Sequence, residues 1–178
     1  TWLKELESGA TQEDGLATPA AQPPTLDDSG GHRARYETLL SWPQLEIWLT
    51  KIDGAPLTAL DTETTSLEAF AARIVGISLA VTAGEACYIP LAHTAPGAPD
   101  QLDRETVLAR LKPWLEDTRK PKLLQNAKYD QHVFANHGIA LAGVAHDTML
   151  QSYVLESDKG HDLGQLCSRH LGLVTLAY

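Results

Sequence analysis

The sequence contains few of the residues that would cross-link a fold through disulfides or zinc. Cysteine occurs only twice in 178 residues, at Cys87 and Cys167, and neither lies in a CxxC motif or at a Cys/His spacing that suits zinc. A disulfide framework and a zinc module are therefore not expected, and both cysteines are predicted to be buried thiols in a reducing cytoplasm. Glycine-rich phosphate loops and nucleophile elbows are absent too, which argues against the enzyme classes that use them.

Long apolar runs and an excess of positive charge are also missing. No run approaches the roughly 18 apolar residues of a membrane helix, so we expect a soluble protein with no membrane partner. The protein is also expected to be cytoplasmic, as the cysteines suggest, and monomeric. Lysine and arginine number 14 against 23 aspartates and glutamates, which gives a net charge of −9. This balance disfavours a long basic groove for duplex nucleic acid. It remains compatible with a site where carboxylates hold divalent metals and the metals meet a phosphate.

The first 33 residues differ in composition from the rest of the chain. The sequence begins at Thr1 without an initiator Met and without the layout of a signal peptide, which suggests a piece of a longer protein. Residues 1–7 are interpreted as the end of a preceding helix. Residues 8–33 combine Gly, Ser, Thr, Pro and acids with little apolar content, which predicts a flexible linker. The folded domain is expected over residues 34–178.

From Tyr36 onward, hydrophobic periodicity predicts an α/β domain with a mixed sheet flanked by helices. A strand and a helix opened near Pro43 come first. Three short strands then follow at 57–62, 73–81 and 86–89, and their spacing suggests an antiparallel meander. The remaining predicted elements are a helix capped by Asp103 and shortened or kinked by Pro113, a strand at 122–125, helices at 129–137 and 147–156, and a last helix from Asp162.

Helical spacing also predicts which side chains of the last two helices face the core. In the helix at 147–156 the inward residues are expected to be Met149, Leu150, Tyr153 and Val154. In the last helix they are expected to be Leu163, Leu166, Cys167 and Leu171.

Two carboxylates lie at the end of the first meander strand, in the segment Leu60-Asp61-Thr62-Glu63-Thr64-Thr65-Ser66-Leu67. Residues two apart on a strand share one face, so Asp61 and Glu63 are expected to lie side by side. Two neighbouring acids repel each other unless a cation lies between them, and the pair therefore suggests a metal site. An ordinary strand end with two solvated acids is the alternative.

A third acid follows the strand at 122–125, in the segment Leu124-Gln125-Asn126-Ala127-Lys128-Tyr129-Asp130. A short buried strand here runs into a helix and places Asp130 on the first helical turn. Taken by itself, Asp130 is equally explained as a surface acid that interacts with the helix dipole.

Together, the two segments resemble the first two motifs of the 3′→5′ exonucleases of the DNA polymerase I family. The patterns Asp-Thr-Glu-Thr-x-Ser-Leu and Gln-Asn-x-Lys-Tyr-Asp are much longer than a bare pair of acids. Residues 88–93 and 146–150 are similar to the same family. The resemblance covers Tyr36 to the C-terminus, and the preceding residues are similar to that family's linker and to the tail of its 5′-nuclease domain.

The resemblance implies a ribonuclease H-like fold and two Mg²⁺ or Mn²⁺ ions that assist hydrolysis of the 3′-terminal phosphodiester of single-stranded DNA. Asp61 matches the acid shared by both metals, Glu63 the acid at the metal that activates the water, and Asp130 the acid supporting the second metal. A polymerase domain is implied as a partner in the same intact chain.

The resemblance also implies residues that contact the substrate strand. Leu67 matches a side chain beside the 3′-terminal base, with core packing as its alternative. Gln125 and Asn126 match positions where polar contacts to the strand are expected. Tyr178 matches an aromatic residue near the 3′ end of the strand, with a frayed terminal residue as its alternative.

The family's third motif, a Tyr followed four residues later by an Asp, does not occur in the sequence. The isolated chain is therefore expected to be poorly active. Two rival functions remain open, a ribonuclease D-like exoribonuclease and a non-catalytic domain that supports a polymerase. The neighbouring His161 and Asp162 resemble a metal pair only weakly, and Asp162 is better explained as a helix cap.

Overall fold

The computed structural model describes residues 34–175. The predicted helix end at 1–7, the predicted linker at 8–33 and Tyr178 all lie outside the described residues. Within the described range, no helix is both long and apolar enough to cross a membrane.

Six strands form one mixed sheet with the order β1-β4-β3-β2-β5-β6. The central strands β2, β3 and β4 are antiparallel neighbours, as the sequence predicts, whereas β1, β5 and β6 pair in parallel at the two sides. Strand β6 is not predicted, because its Val-Ala-His-Asp sequence is too short and polar to show a pattern. The strands are β1 (Arg35–Thr38), β2 (Thr58–Thr64), β3 (Ile74–Thr82), β4 (Glu85–Pro90), β5 (Lys122–Leu124) and β6 (Val144–Asp147).

Between residues 34 and 175, five α-helices connect or follow these strands. Asp103, Asp147 and Asp162 begin three of them, and each carboxylate accepts hydrogen bonds from backbone N–H groups of the first turn. Pro113 lies inside its helix, which continues to Leu115 and is not ended early. The helices are α1 (Trp42–Gly54), α2 (Arg104–Leu115), α3 (Ala127–Ala135), α4 (Thr148–Leu155) and α5 (Leu163–Leu166), the last followed by a π-helical turn at Cys167–Leu171.

One apolar core lies between the sheet and helices α1, α2 and α3. Trp48 of α1, Leu111 of α2 and Phe134 of α3 are essentially fully buried there, against strand residues such as Ile77 and Ile89. Burial of such large side chains supplies most of the free energy that holds the helices on the sheet.

The inward faces predicted for the last two helices are wrong in most positions. Leu150 and Tyr153 are exposed, and Val154 is 90% exposed; Ser152 is the buried residue of α4. The reason is that α4 follows β6, which lies at the edge of the sheet. No residue between 34 and 175 covers the apolar side of α4 there.

In the last helix, Leu166 is buried as predicted, but Leu163 and Leu171 are exposed and Cys167 is only partly buried. The π-helical turn begins at Cys167, and its wider winding ends the predicted 3.6-residue spacing there. Cys87 is buried as predicted, and burial raises the pKa of its thiol to about 12.

Candidate functional site

Strand β2 positions two of the predicted acids at the centre of the sheet. It is paired on both sides, with β3 and with β5. Its residues Thr58, Leu60 and Thr62 are buried on the face covered by helices, while Asp61 and Glu63 alternate with them and share the opposite face. The pairing register shifts after Glu63, so the strand ends with both carboxylates next to the following loop.

Asp61 borders a recess, and its side chain is exposed to solvent. It contributes to the lining of a largely apolar cavity of about 280 Å³, together with Gln125, Thr148 and Leu163. Partial burial raises the pKa of the Asp61 carboxyl, and the negative charge of Glu63 raises it further. A hydrogen bond from the Thr62 backbone opposes this shift. The surroundings of Asp61 therefore disfavour its negative charge, and a nearby cation would relieve the repulsion from Glu63.

Asp130 approaches the same strand from the first turn of α3. Its side chain is only 2% exposed, and its Oδ1 accepts a hydrogen bond of 2.7 Å from the Thr62 hydroxyl. Burial raises the pKa of Asp130 to about 7, the Thr62 hydrogen bond opposes this, and the charge of Asp61 adds to it. In the absence of a cation, Asp130 is therefore partly protonated at neutral pH.

These acids suit a hard divalent cation in donor type and in charge. Carboxylate oxygens are the ligands that Mg²⁺ prefers, and each of the two raised pKa values includes repulsion from a neighbouring carboxylate. The coordination is incomplete, however: among residues 34–175 no three His, Cys, Asp or Glu side chains lie close enough together to hold one ion. Asp61 and Glu63 share one face, whereas Asp130 is directed to Thr62.

Asp147 organises the start of α3, a role that the sequence analysis does not identify. Its carboxylate accepts hydrogen bonds from the backbone N–H groups of Asn126 (3.2 Å) and Ala127 (2.9 Å). It also accepts from Met149 (3.0 Å) and Leu150 (3.2 Å) at the start of α4. The sequence signals only the cap of α4, because the bonds to α3 join residues some twenty positions apart.

Asn126 adopts the left-handed backbone conformation, with φ of 63°, and is the one residue other than glycine with positive φ in the described range. Asparagine tolerates this conformation better than most side chains. Asp147 holds the strained residue in place, which fixes where the chain turns from β5 into α3 and so where Asp130 lies.

Gln125, a predicted substrate contact, is hydrogen-bonded within the protein at both ends of its amide. Its Oε1 accepts from the Thr148 hydroxyl, and its Nε2 donates to the His161 carbonyl at 2.8 Å. The imidazole of His161 is hydrogen-bonded to Ser152, and the neighbouring Asp162 caps α5. The side chains of His161 and Asp162 thus both have structural partners, as the helix-cap interpretation requires.

Leu67 lies in the loop between β2 and β3 and is 96% exposed, so the alternative of core packing is wrong. Tyr129 of α3 holds this loop: its hydroxyl donates to the Ser66 carbonyl at 2.6 Å and lies 2.5 Å from the Thr64 hydroxyl. This role of Tyr129 is also missed by sequence reasoning, although the residue belongs to the second motif.

The architecture defines a class of protein. A mixed sheet with acids on its central strand and on the helix after the neighbouring strand is the arrangement of ribonuclease H-like 3′→5′ exonuclease domains. Solved structures confirm the fold: RNase D of Trypanosoma brucei aligns with a TM-score of 0.60 and 17% identity over 80% of this chain and 49% of its own. Brucella melitensis NrnC with bound Mg²⁺ aligns with a TM-score of 0.56 and 21% identity, over 83% and 66%.

The particular family follows from sequence comparison. A family model of the family A DNA polymerases, described as 3'-5' exonuclease, matches residues 36–178, and the chain belongs to this family. The prediction made from the two motifs is confirmed.

The chain is similar to curated DNA polymerases I of several bacteria. It is 51% identical to that of Pseudomonas aeruginosa over 146 residues, which is 80% of this chain and 16% of the relative. It is 46% identical to that of Synechocystis over 123 residues, 67% of this chain and 12% of the relative. A solved structure of the POL domain of Pol1 from M. smegmatis, in complex with DNA primer-template and dNTP, aligns with a TM-score of 0.62 and 25% identity, over 77% and 23%. The chain thus spans about a sixth or less of the length of these curated relatives.

Proposed function

We propose that this chain is the proofreading part of a bacterial DNA polymerase I, which removes 3′-terminal nucleotides from single-stranded DNA ends during replication and repair. Its partners are the unpaired 3′ end of DNA and the polymerase domain of the same intact protein, in the cytoplasm. The observation that carries the proposal is the repulsion of Asp61 with Glu63 on one side and with Asp130 on the other, which together with burial raises the pKa values of Asp61 and Asp130. Such a site stores electrostatic repulsion that cation binding relieves.

In this proposal Asp61, Glu63 and Asp130 hold two Mg²⁺ or Mn²⁺ ions. When bound, these ions supply charge neutralisation and Lewis-acid polarisation at the scissile phosphate. Asp130 must be ionised to serve as a ligand, and the Thr62 hydroxyl favours that form by donating to Oδ1. Binding therefore competes with protonation of Asp130, and the affinity for the ions rises with pH until Asp130 is fully ionised.

The substrate strand is held by side chains around this site. Leu67 presents an apolar surface to the 3′-terminal base, which suits a site that must accept any unstacked base. Asn126 and Gln125 are polar groups at the start of α3, and Gln125 is already oriented by Thr148 and His161. Tyr178 is assigned to the same strand from the family resemblance.

The decisive experiment is Asp61→Ala in the intact polymerase. Removal of this ligand, which both metals share in the proposal, is expected to lower the rate at which a mispaired primer is digested by more than about 100-fold, while nucleotide incorporation continues. Loss of a residue that only supports a metal ligand usually lowers activity by about 10- to 100-fold. Asp100→Ala, which removes an exposed acid outside the site, is the matched control and should digest normally. Normal digestion by the Asp61→Ala enzyme would refute the assignment of the metal ligands.

Two further measurements separate this function from its rivals. The first is the rate of digestion of DNA and RNA oligonucleotides of the same sequence, which distinguishes the proposed function from that of a ribonuclease D-like enzyme. The fold is shared with the Trypanosoma RNase D structure, and the two substrates differ in the 2′-OH. Faster digestion of the RNA would favour the ribonuclease. The second is calorimetric titration with Mn²⁺ of the intact protein and of its Asp61→Ala variant. A non-catalytic support domain would give the same heat of binding for both proteins.

A further inference from the structure

The loop between β2 and β3 presents a second large apolar side chain close to Leu67. Phe70 is 81% exposed and lies three residues beyond Leu67. Because most of the ring is in contact with water, hydrophobic burial contributes little to stability at this position and does not explain an aromatic residue there. Adjacent exposed apolar side chains with a polar rim are typical of binding surfaces.

Phe70 is supported from one side by His132 of α3. Their ring centroids lie 4.6 Å apart, with the ring planes inclined by 51°. This is the range in which aromatic rings attract each other. Because Phe70 remains largely exposed in spite of this contact, most of its ring is available to a third planar group.

The loop that carries Phe70 is held in place along α3. The Asn136 side chain donates to the carbonyls of Ala69 (2.7 Å) and Ala72 (3.0 Å), on both sides of Phe70. Arg73 in turn donates to the Asn136 carbonyl at 3.0 Å. The ring is therefore preorganised, and a ligand that stacks on it orders little additional structure.

Positive charges flank this pair of rings. Residues 128, 132 and 136 are four apart and lie along one side of α3, so exposed Lys128 lies one turn before His132. Arg73 is bound one turn after it, at Asn136. The net charge of the chain is −9, and the exposed carboxylate of Glu68 lies two residues before Phe70, yet Lys128 and Arg73 place two cations along the side of α3 that supports the ring. Proteins that bind single-stranded nucleic acids combine cationic side chains, which attract the phosphates, with aromatic side chains on which the bases stack.

We propose that Phe70, supported by His132, is a stacking platform for an unpaired base of the single-stranded DNA, other than the terminal base beside Leu67. Lys128 and Arg73 attract the adjoining phosphates. The inference rests on the proposed function, since it takes single-stranded DNA as the substrate. It adds a positioning surface on the outer side of α3, away from the carboxylates.

The test is equilibrium binding of a fluorescent oligothymidylate to the chain in EDTA, so that no hydrolysis occurs. Phe70→Ala is expected to weaken binding by roughly tenfold, within the range for loss of one stacked base, and Phe70→Tyr to retain it. Tyr36→Ala is the matched control, because Tyr36 is an exposed aromatic residue on β1 at the far edge of the sheet. It should bind as the unaltered chain does.

A second probe separates stacking from a general effect on folding or charge. Against an abasic oligonucleotide, which keeps the phosphates and lacks the bases, the unaltered chain and Phe70→Ala should bind equally. A tenfold loss that persists with the abasic strand would overturn the stacking role. Equal binding of oligothymidylate by both proteins would also overturn it and leave the proposed function intact. If the unaltered chain bound no single-stranded DNA, this inference would fail, and the proposed function would still be decided by Asp61→Ala in the intact polymerase.

Discussion

Replacement of Asp130 by asparagine is expected to stabilise the metal-free protein at neutral and alkaline pH. The buried carboxyl has a pKa of about 7 in the folded chain against a reference value of 3.8. The asparagine side chain would keep an oxygen that accepts the Thr62 hydroxyl hydrogen bond and would never carry the charge that burial and Asp61 oppose.

The sign and size of the effect follow from linkage. Below pH 3.8 the carboxyl is protonated in both folded and unfolded chains and causes no penalty. Between pH 3.8 and about 7 the unfolded chain ionises first, so the free energy of unfolding falls as pH rises. Above about pH 7 the penalty is complete, and at 1.36 kcal/mol per pKa unit it amounts to roughly 4 kcal/mol. An unpaired amide N–H₂ in the variant costs about 1–3 kcal/mol, which leaves a net gain of roughly 2 kcal/mol.

The assay is urea unfolding in EDTA from pH 4.5 to 8 for the unaltered chain, Asp130→Asn and the control Asp100→Asn. The difference between Asp130→Asn and the unaltered chain should grow with pH and become constant above about pH 7. Adding Mn²⁺ should reduce the difference, because a ligand that binds only the folded state stabilises it by up to about 2.7 kcal/mol at 100 times its dissociation constant. Parallel pH profiles for all three proteins, or an Asp130→Asn variant less stable at pH 8, would show that Asp130 is not a destabilised buried acid.

Two other outcomes are expected. Asp147→Ala removes the acceptor of four backbone N–H groups at two helix starts, so it should lower the free energy of unfolding by about 2–4 kcal/mol. Asp162→Ala removes a single cap bond of the short α5 and should cost about 1 kcal/mol or less in the same denaturation assay. Equal losses for the two variants would contradict the role of Asp147 at two helices. A version of the chain extended through a Tyr-x-x-x-Asp motif should degrade single-stranded DNA much faster than these 178 residues in Mn²⁺, and equal rates would contradict the need for that motif.

Local patterns were sufficient for most of the secondary structure. The meander β2-β3-β4 follows from alternating apolar residues and turns, and the helix starts at Asp103 and Asp162 follow from cap chemistry within three residues. In each case the interactions that decide the structure are close in sequence.

The orientation of α4 could not be predicted in the same way. The spacing of Leu150 and Val154 does define an apolar side of the helix, but periodicity does not say which element covers it. Helix α4 is short and follows an edge strand that has no sequence signal of its own, so the sheet face available to it was unknown.

The same limit applies to the site. The spacing of Asp61 and Glu63 on a strand, and of Asp130 on a first helical turn, is visible in the sequence. The hydrogen bond from Thr62 to Asp130 joins residues 68 positions apart, and the bond from Tyr129 to Ser66 joins residues 63 apart. Contacts of this range depend on the packing of α3 against β2, which no local pattern specifies.

Helix α3 connects the parts of the proposed site. Its first turn carries Asp130, and Asp147 fixes its start. Tyr129 near that start and Asn136 at its C-cap hold the two ends of the loop that presents Leu67 and Phe70. One helix therefore sets the distance between the acids and the loop that is proposed to contact bases. If the proposed function is correct, a variant that loosens α3 should cleave DNA more slowly even when every carboxylate is present, because misplaced reacting groups raise the barrier.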